Sequence, residues 1–105
     1  MNTIIKNENK IKELKSGVLK DNLDEKLRFD LIPHEFLTEL AKHYTASLKK
    51  YPENNWKKAS KEESIMYLQA AWRHFIAFSR GDKDENHLMA CIWNLISYKW
   101  INEYK

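Results

Sequence analysis

Glycine is nearly absent from this chain: of 105 residues, only Gly17 and Gly81 are glycine. That excludes the loops that cradle phosphates with bare backbone, because GxGxxG needs three glycines and GxxxxGK[ST] needs two at a close spacing. Any phosphate must then be met by side chains or helix ends. Cys91 is the single cysteine, which excludes an intrachain disulfide, a CxxC redox pair and an all-cysteine zinc site. There is no HExxH motif, and His34, His43, His74 and His87 include no i, i+4 pair to hold zinc on one helical face. No stretch approaches the roughly 18 apolar residues that cross a bilayer. The N-terminal segment MNTIIKNENKIKELK is polar where a secretion signal is apolar. These absences lead to the expectation of a reduced, cytoplasmic protein with no membrane partner.

Neither sign of charge dominates. Eighteen Lys and Arg against fifteen Asp and Glu leave a net charge of +3, and residues 1–20 carry all of it. The remainder is balanced, so the broad positive surface that a nucleic-acid duplex requires is missing, and nucleic acid is not an expected partner. What is present is apolar and aromatic: 43% hydrophobic residues, with four Trp, five Tyr and four Phe. This suffices for one core in a chain too short for two.

Periodicity predicts an all-α fold. Ile4, Ile11, Leu14 and Val18 are spaced as on an amphipathic helix, giving an N-terminal helical arm, residues 1–22, ahead of a helical body, residues 23–105. Phe36, Leu37, Leu40, Ala41, Tyr44 and Leu48 predict a helix from His34 to about Lys50, stopped by Pro52. Ser60 and Glu63 form a capping box. It opens a helix whose expected buried face is Ile65, Leu68, Trp72, Phe75 and Ile76 and whose end is Arg80-Gly81. The last helix, about Glu85 to Glu103, is expected to bury Leu88, Cys91, Ile92, Leu95 and Ile96. No segment alternates at a period of two, so no strand is expected. Short connections favour antiparallel packing of consecutive helices.

The chemistry-bearing residues interrupt these helices. Glu35 with Glu39, and Asp82, Asp84 and Glu85 at the head of the last helix, are carboxylates that either cap helices and face solvent or ligate Mg²⁺, which takes oxygen donors. Arg73 either pairs with a carboxylate such as Asp30 or meets phosphate together with Lys49 or Lys50. His87 and Asn94, seven apart on one helical face, either bond locally or share a pocket with a base or ribose. Tyr98, Trp100 and Tyr104 are candidates for burial between subunits.

In order along the chain, Arg28-Phe29-Asp30-Leu31-Ile32-Pro33, Lys50-Tyr51-Pro52-Glu53-Asn54-Asn55-Trp56, Arg73-His74, His87-Leu88 and Trp93-Asn94 resemble the phage and bacterial dATP/dGTP diphosphohydrolase N-terminal family. That family is similar to the MazG-like all-α nucleotide pyrophosphohydrolases. The resemblance implies a helical, usually oligomeric protein that binds a purine deoxynucleoside triphosphate with Mg²⁺ and releases pyrophosphate. It further implies nucleotide contacts from Lys50, Asn55, Trp56, Arg73 and His74 and catalytic orientation by His87 and Asn94; on that reading Asp84 or Glu85, from the acidic cluster at the head of the last helix, holds the metal. The ExxE and ExxD pairs of the wider MazG-like group are not visible, since Glu35 and Glu39 have a different step. A non-catalytic protein that sequesters a nucleotide or cyclic-nucleotide signal is the alternative, and a helical interaction module a third.

Overall fold

A computed structural model of the chain describes residues 11–21 and 26–105. Its contacts group into two units, Met1–Pro33 and His34–Lys105.

In the first unit the expected N-terminal helix is absent from residues 11–21, and residues 4–10 lie outside the described residues. Ile11–Glu13 (β1) instead pairs antiparallel with Leu19–Asp21 (β2), Ile11 opposite Asp21 and Glu13 opposite Leu19. The reason is the connection. Gly17 sits at φ +91°, its N–H donates to the Leu14 carbonyl, and the Leu14 N–H donates to the Val18 carbonyl, both at 2.8 Å. A short loop with glycine in the left-handed region returns the chain on itself, and a left-handed residue cannot continue a right-handed helix. The apolar spacing that suggested a helix is therefore overridden by one turn. Arg28 grips Asp30 through two hydrogen bonds of 2.8 Å beside a single 3₁₀ turn, Phe29–Leu31. Asp30 thus serves Arg28 within its own unit.

The second unit holds three helices, α1 (His34–Ser47), α2 (Ile65–Arg80) and α3 (His87–Glu103). α1 starts directly after Pro33 and unwinds through i→i+3 bonds from Leu48, Lys49 and Lys50 before Pro52, which disfavours helix at the residue preceding it. Asn54 then turns the chain at φ 61°, a left-handed conformation that asparagine tolerates better than most residues. A 3₁₀ turn follows at Asn55–Lys58.

The hydrogen bonds of the expected capping box form, but a turn ahead of the helix: α2 starts at Ile65, with Ser64 as an N-cap that makes no side-chain capping bond. The Ser60 N–H donates to Glu63 Oε1 at 2.9 Å and the Glu63 N–H donates to Ser60 Oγ at 3.0 Å. It closes a turn that leads into α2. At the other end Gly81, φ +83°, and Asp82 donate back to Phe78 and Ala77 carbonyls at 3.0 Å, satisfying groups the last helical turn leaves open. Asn86 caps α3, its side chain accepting from the Met89 N–H at 3.2 Å.

The helices pack through smaller residues than the periodicity suggested. α2 buries Ala71 and Ala77, and α3 buries Met89, Ala90, Cys91, Ser97 and Ile101 together with His87 and Asn94. Ser64, at the start of α2, is 1% exposed and its Oγ accepts from Asn102 Nδ2 at 2.9 Å. Of the face expected to be buried on α2, Leu68 is half-buried while Ile65, Trp72, Phe75 and Ile76 are exposed, Trp72 at 62%. Phe36, Leu37, Ala41 and Leu48 of α1 and Leu95 and Ile96 of α3 are likewise exposed; Leu40 and Tyr44 are half-buried and Cys91 is buried as expected. Within this unit the buried positions of α2 are alanines, α3 adds Met89 and Ile101 to its small buried residues, and many of the other large apolar side chains are exposed.

Nothing lies within 4 Å of a Cβ added at Gly81, so Gly81→Ala isolates the backbone strain of its positive φ. Urea denaturation is expected to show a loss of about 1 kcal/mol with an unchanged m-value.

Candidate functional site

A cleft of about 770 Å³ opens where α1, the Tyr51–Trp56 turn, α2 and α3 meet. α1 contributes Tyr44, Thr45 and Ser47, with Leu48 just after it; α2 contributes Met66, Tyr67, Ala70 and Arg73; α3 contributes Trp93 and Asn94. Of the residues expected to bind nucleotide, Asn55, Trp56 and Arg73 line it, and Asn94 joins them. Lys50 is not in the lining, and neither are His74 and His87.

The wall is aromatic. Trp93 is met by Tyr67 at 5.8 Å between ring centroids, edge to face, and by Tyr44 at 6.2 Å. Trp56 meets Trp100 edge-on at 5.4 Å, with the Lys57 ammonium 5.0 Å from the Trp100 ring, a cation–π arrangement that braces the turn. Lys105 Nζ donates to the Lys57 and Ala59 carbonyls at 2.8 and 2.7 Å. Burial pushes the Tyr44 and Tyr67 hydroxyls above the usual phenol range, so both are neutral near pH 7. The Trp93 indole N–H is buried with no acceptor among the described residues.

Two polar groups in this wall have bonding capacity to spare. Of the three arginines, Arg28 is paired with Asp30 and Arg80 with Asp82, whereas among the described residues no carboxylate lies within ion-pair distance of Arg73. Asn94 donates from Nδ2 to the Ala90 carbonyl at 2.8 Å, and its Oδ1 accepts no hydrogen bond from the described residues. The cleft therefore offers a guanidinium and an amide oxygen against aromatic faces.

His74, His87, Asp84 and Glu85 form a second cluster. His74 Nδ1 and His87 Nδ1 are 2.9 Å apart, and His87 Nε2 is 2.7 Å from Asp84 Oδ1. A carboxylate only accepts, so His87 carries its proton on Nε2, leaving Nδ1 to accept from the His74 Nδ1–H. Glu85 Oε1 lies 3.7 Å from His74 Nδ1. The bond to His87 holds the Asp84 carboxyl below its usual range. His43, half-buried on α1, is pushed down chiefly by burial and by the neighbouring His74, against an opposing pull from Glu85. Glu39 accepts from Asn86 Nδ2 at 2.9 Å, a structural use for a carboxylate considered as a metal ligand.

The expected convergence of Arg73, His87 and Asn94 on one cleft does not occur, for reasons of helix geometry. His87 and Asn94 share a face of α3, but seven residues separate them by about 10 Å along the axis. Arg73 and His74 are sequential and so point about 100° apart around α2, Arg73 to the cleft and His74 to His87. The aromatic lining from Tyr51, Tyr67 and Trp93 was not foreseen as part of a site. The stripe Met66, Ala70, Arg73, at steps of four and three, is the signal that marks the cleft side of α2.

The donor chemistry of the second cluster does not fit Mg²⁺. That ion takes oxygen ligands and keeps several waters, whereas here Asp84 Oδ1 is engaged by His87 and Glu85 shares its surroundings with two imidazole nitrogens.

A small helical domain with an aromatic cleft and an uncommitted arginine defines the class. Residues 17–104 match the family described as dATP/dGTP diphosphohydrolase, N-terminal, and the chain belongs to that family. No curated protein and no solved structure matches it.

The lowered pKa of Asp84 acts on stability with a definite sign. Its contribution to stability is complete above the ordinary aspartate value, about 4, and is lost as pH falls through the lower folded value. Asp84→Asn is therefore expected to flatten the fall in thermal midpoint below about pH 4 relative to the parent protein.

Proposed function

We propose that the cleft binds a purine deoxynucleotide and that the protein acts as a dATP/dGTP pyrophosphohydrolase, releasing pyrophosphate from the triphosphate. The observation that carries the reading is Arg73, a cation with no carboxylate partner among the described residues, on the wall of a cleft lined by Trp56 and Tyr67. A guanidinium pairs with phosphate oxygens in a planar, two-pronged geometry. Trp56 offers a face for a base, and the Asn94 Oδ1 acceptor suits an exocyclic amine or a ribose hydroxyl. Each contact is local to this chain and none requires a bound cofactor.

The sequestering alternative has its own support: Glu53 is the one carboxylate in the cleft lining, so little there would activate a water. Incubation with dATP or dGTP and Mg²⁺, supplied as the usual companion of nucleotide phosphates, separates the two. Monophosphate and pyrophosphate as products support hydrolysis, and tight binding without turnover supports sequestration. In either case Arg73→Ala is expected to weaken binding by tenfold or more, as loss of a charge-assisted contact does. Unchanged calorimetric affinity in a folded variant would remove Arg73 from the site.

We propose further that the protein is a homo-oligomer. Support comes from α2, where Ile65, Trp72, Phe75 and Ile76 are exposed along one face; apolar patches of that kind mark association surfaces. A second copy of the chain is the occupant that requires no other protein. Light scattering is expected to show a multimer that Trp72→Glu converts towards monomer, and a monomeric parent protein would end this reading.

A further inference from the structure

We propose that His74, His87 and Glu85 form a binding site for a divalent transition-metal ion of the zinc class, with Asp84 as the positioning carboxylate behind His87. The site is assembled between α2 and the start of α3, so no local histidine spacing announces it.

The geometry supports this in three ways. First, one ligand atom from each of His74, Glu85 and His87 can be chosen so that all lie within 4.8 Å of one another. Two of these separations, 2.9 Å between the imidazole Nδ1 atoms and 3.7 Å from His74 Nδ1 to Glu85 Oε1, bracket the spacing of about 3.3 Å that follows from zinc bonds of about 2.0–2.2 Å in tetrahedral geometry. Entry of the ion then requires the two imidazoles to part slightly and the exposed Glu85 side chain to draw in towards them. Second, His87 is already in the ligand tautomer: its Nε2–H points to Asp84 at 2.7 Å, leaving Nδ1 bare towards the cluster. A carboxylate behind a histidine is the usual means of fixing the ring and raising its basicity at a metal. Third, the His74 proton that now bridges the two rings passes to its own Nε2 when Nδ1 ligates, a tautomeric shift that keeps the ring neutral, so two neutral imidazoles and one carboxylate face the ion.

Two nitrogens and one carboxylate oxygen suit zinc and its neighbours in the first transition series rather than Mg²⁺ or Ca²⁺. Three protein ligands leave a fourth position open to water. Glu85 is half-exposed, with a side chain at 52%, which supplies a route in. The site does not involve the cleft residues and does not depend on the nucleotide reading.

The test uses the full chain stripped of metal by a chelator. Calorimetric titration with Zn²⁺ is expected to give one ion per chain in the absence of nucleotide, and Mg²⁺ at the same concentration no comparable heat. Co²⁺ is expected to give the visible absorption of a low-symmetry four-coordinate site. His74→Ala and Glu85→Gln should each weaken Zn²⁺ binding at least tenfold and abolish the Co²⁺ band, and Glu85→Gln, at an exposed position, guards against simple unfolding. Asp84→Asn should weaken binding by about 10-fold and displace the band, with Asp84→Glu restoring affinity. Arg73→Ala should leave Zn²⁺ affinity intact while lowering nucleotide affinity. The proposal is overturned if the parent protein binds no Zn²⁺, or if folded His74→Ala and Glu85→Gln variants bind it as tightly as the parent.

Discussion

The close contact between α2 and α3 is the constraint from which the rest of the helical unit follows. Ala71, Ala77, Ala90 and Ser97 are buried with almost no side chain to accommodate, and small residues at a seam let two helices approach closely. Close approach brings His74 of one helix within hydrogen-bonding distance of His87 on the other. It also turns the bulky side of α2 away from the seam, which is why Trp72 and Ile76 are exposed. An alanine stripe contributes less apolar burial than a leucine stripe would, so the buried core of this unit is modest for its aromatic content.

Around that seam the polar groups are sorted by position along and around the helices. Arg73 and His74 are neighbours in sequence yet serve different surroundings, one facing a ligand-sized cleft and the other a buried imidazole. The same separation holds on α3 between His87, at its first turn, and Asn94, two turns later. The helix geometry accounts for the division of these residues into two groups.

Features governed by short-range chemistry were legible in the sequence. Ser60 and Glu63 exchange the two hydrogen bonds their spacing requires, although in the turn ahead of α2 and not at its N-cap, Gly81 ends α2 in the left-handed conformation, Pro52 follows the end of α1, and the ordered blocks from Arg28 to Asn94 identified the family. Features governed by tertiary choice were not. The buried stripe of α2 is built from alanine and serine, which carry little hydrophobic signal, so periodicity selected the opposite, larger face. Residues 11–21 have helical spacing at Ile11, Leu14 and Val18, but Ser16-Gly17 supplies a turn that outweighs it. For the candidate site, four of the foreseen residues share the cleft, while His74 and His87 meet each other instead, a pairing that depends on the crossing of two helices.

The four tryptophans are distributed unevenly over the helical unit. Trp56 and Trp93 line the cleft, Trp100 stacks edge-on against Trp56, and Trp72 stands in solvent on the far-exposed α2 stripe. Intrinsic emission from this protein is consequently a composite of two environments. Replacing Trp72 alone with phenylalanine would leave an optical signal weighted towards the cleft and its bracing turn.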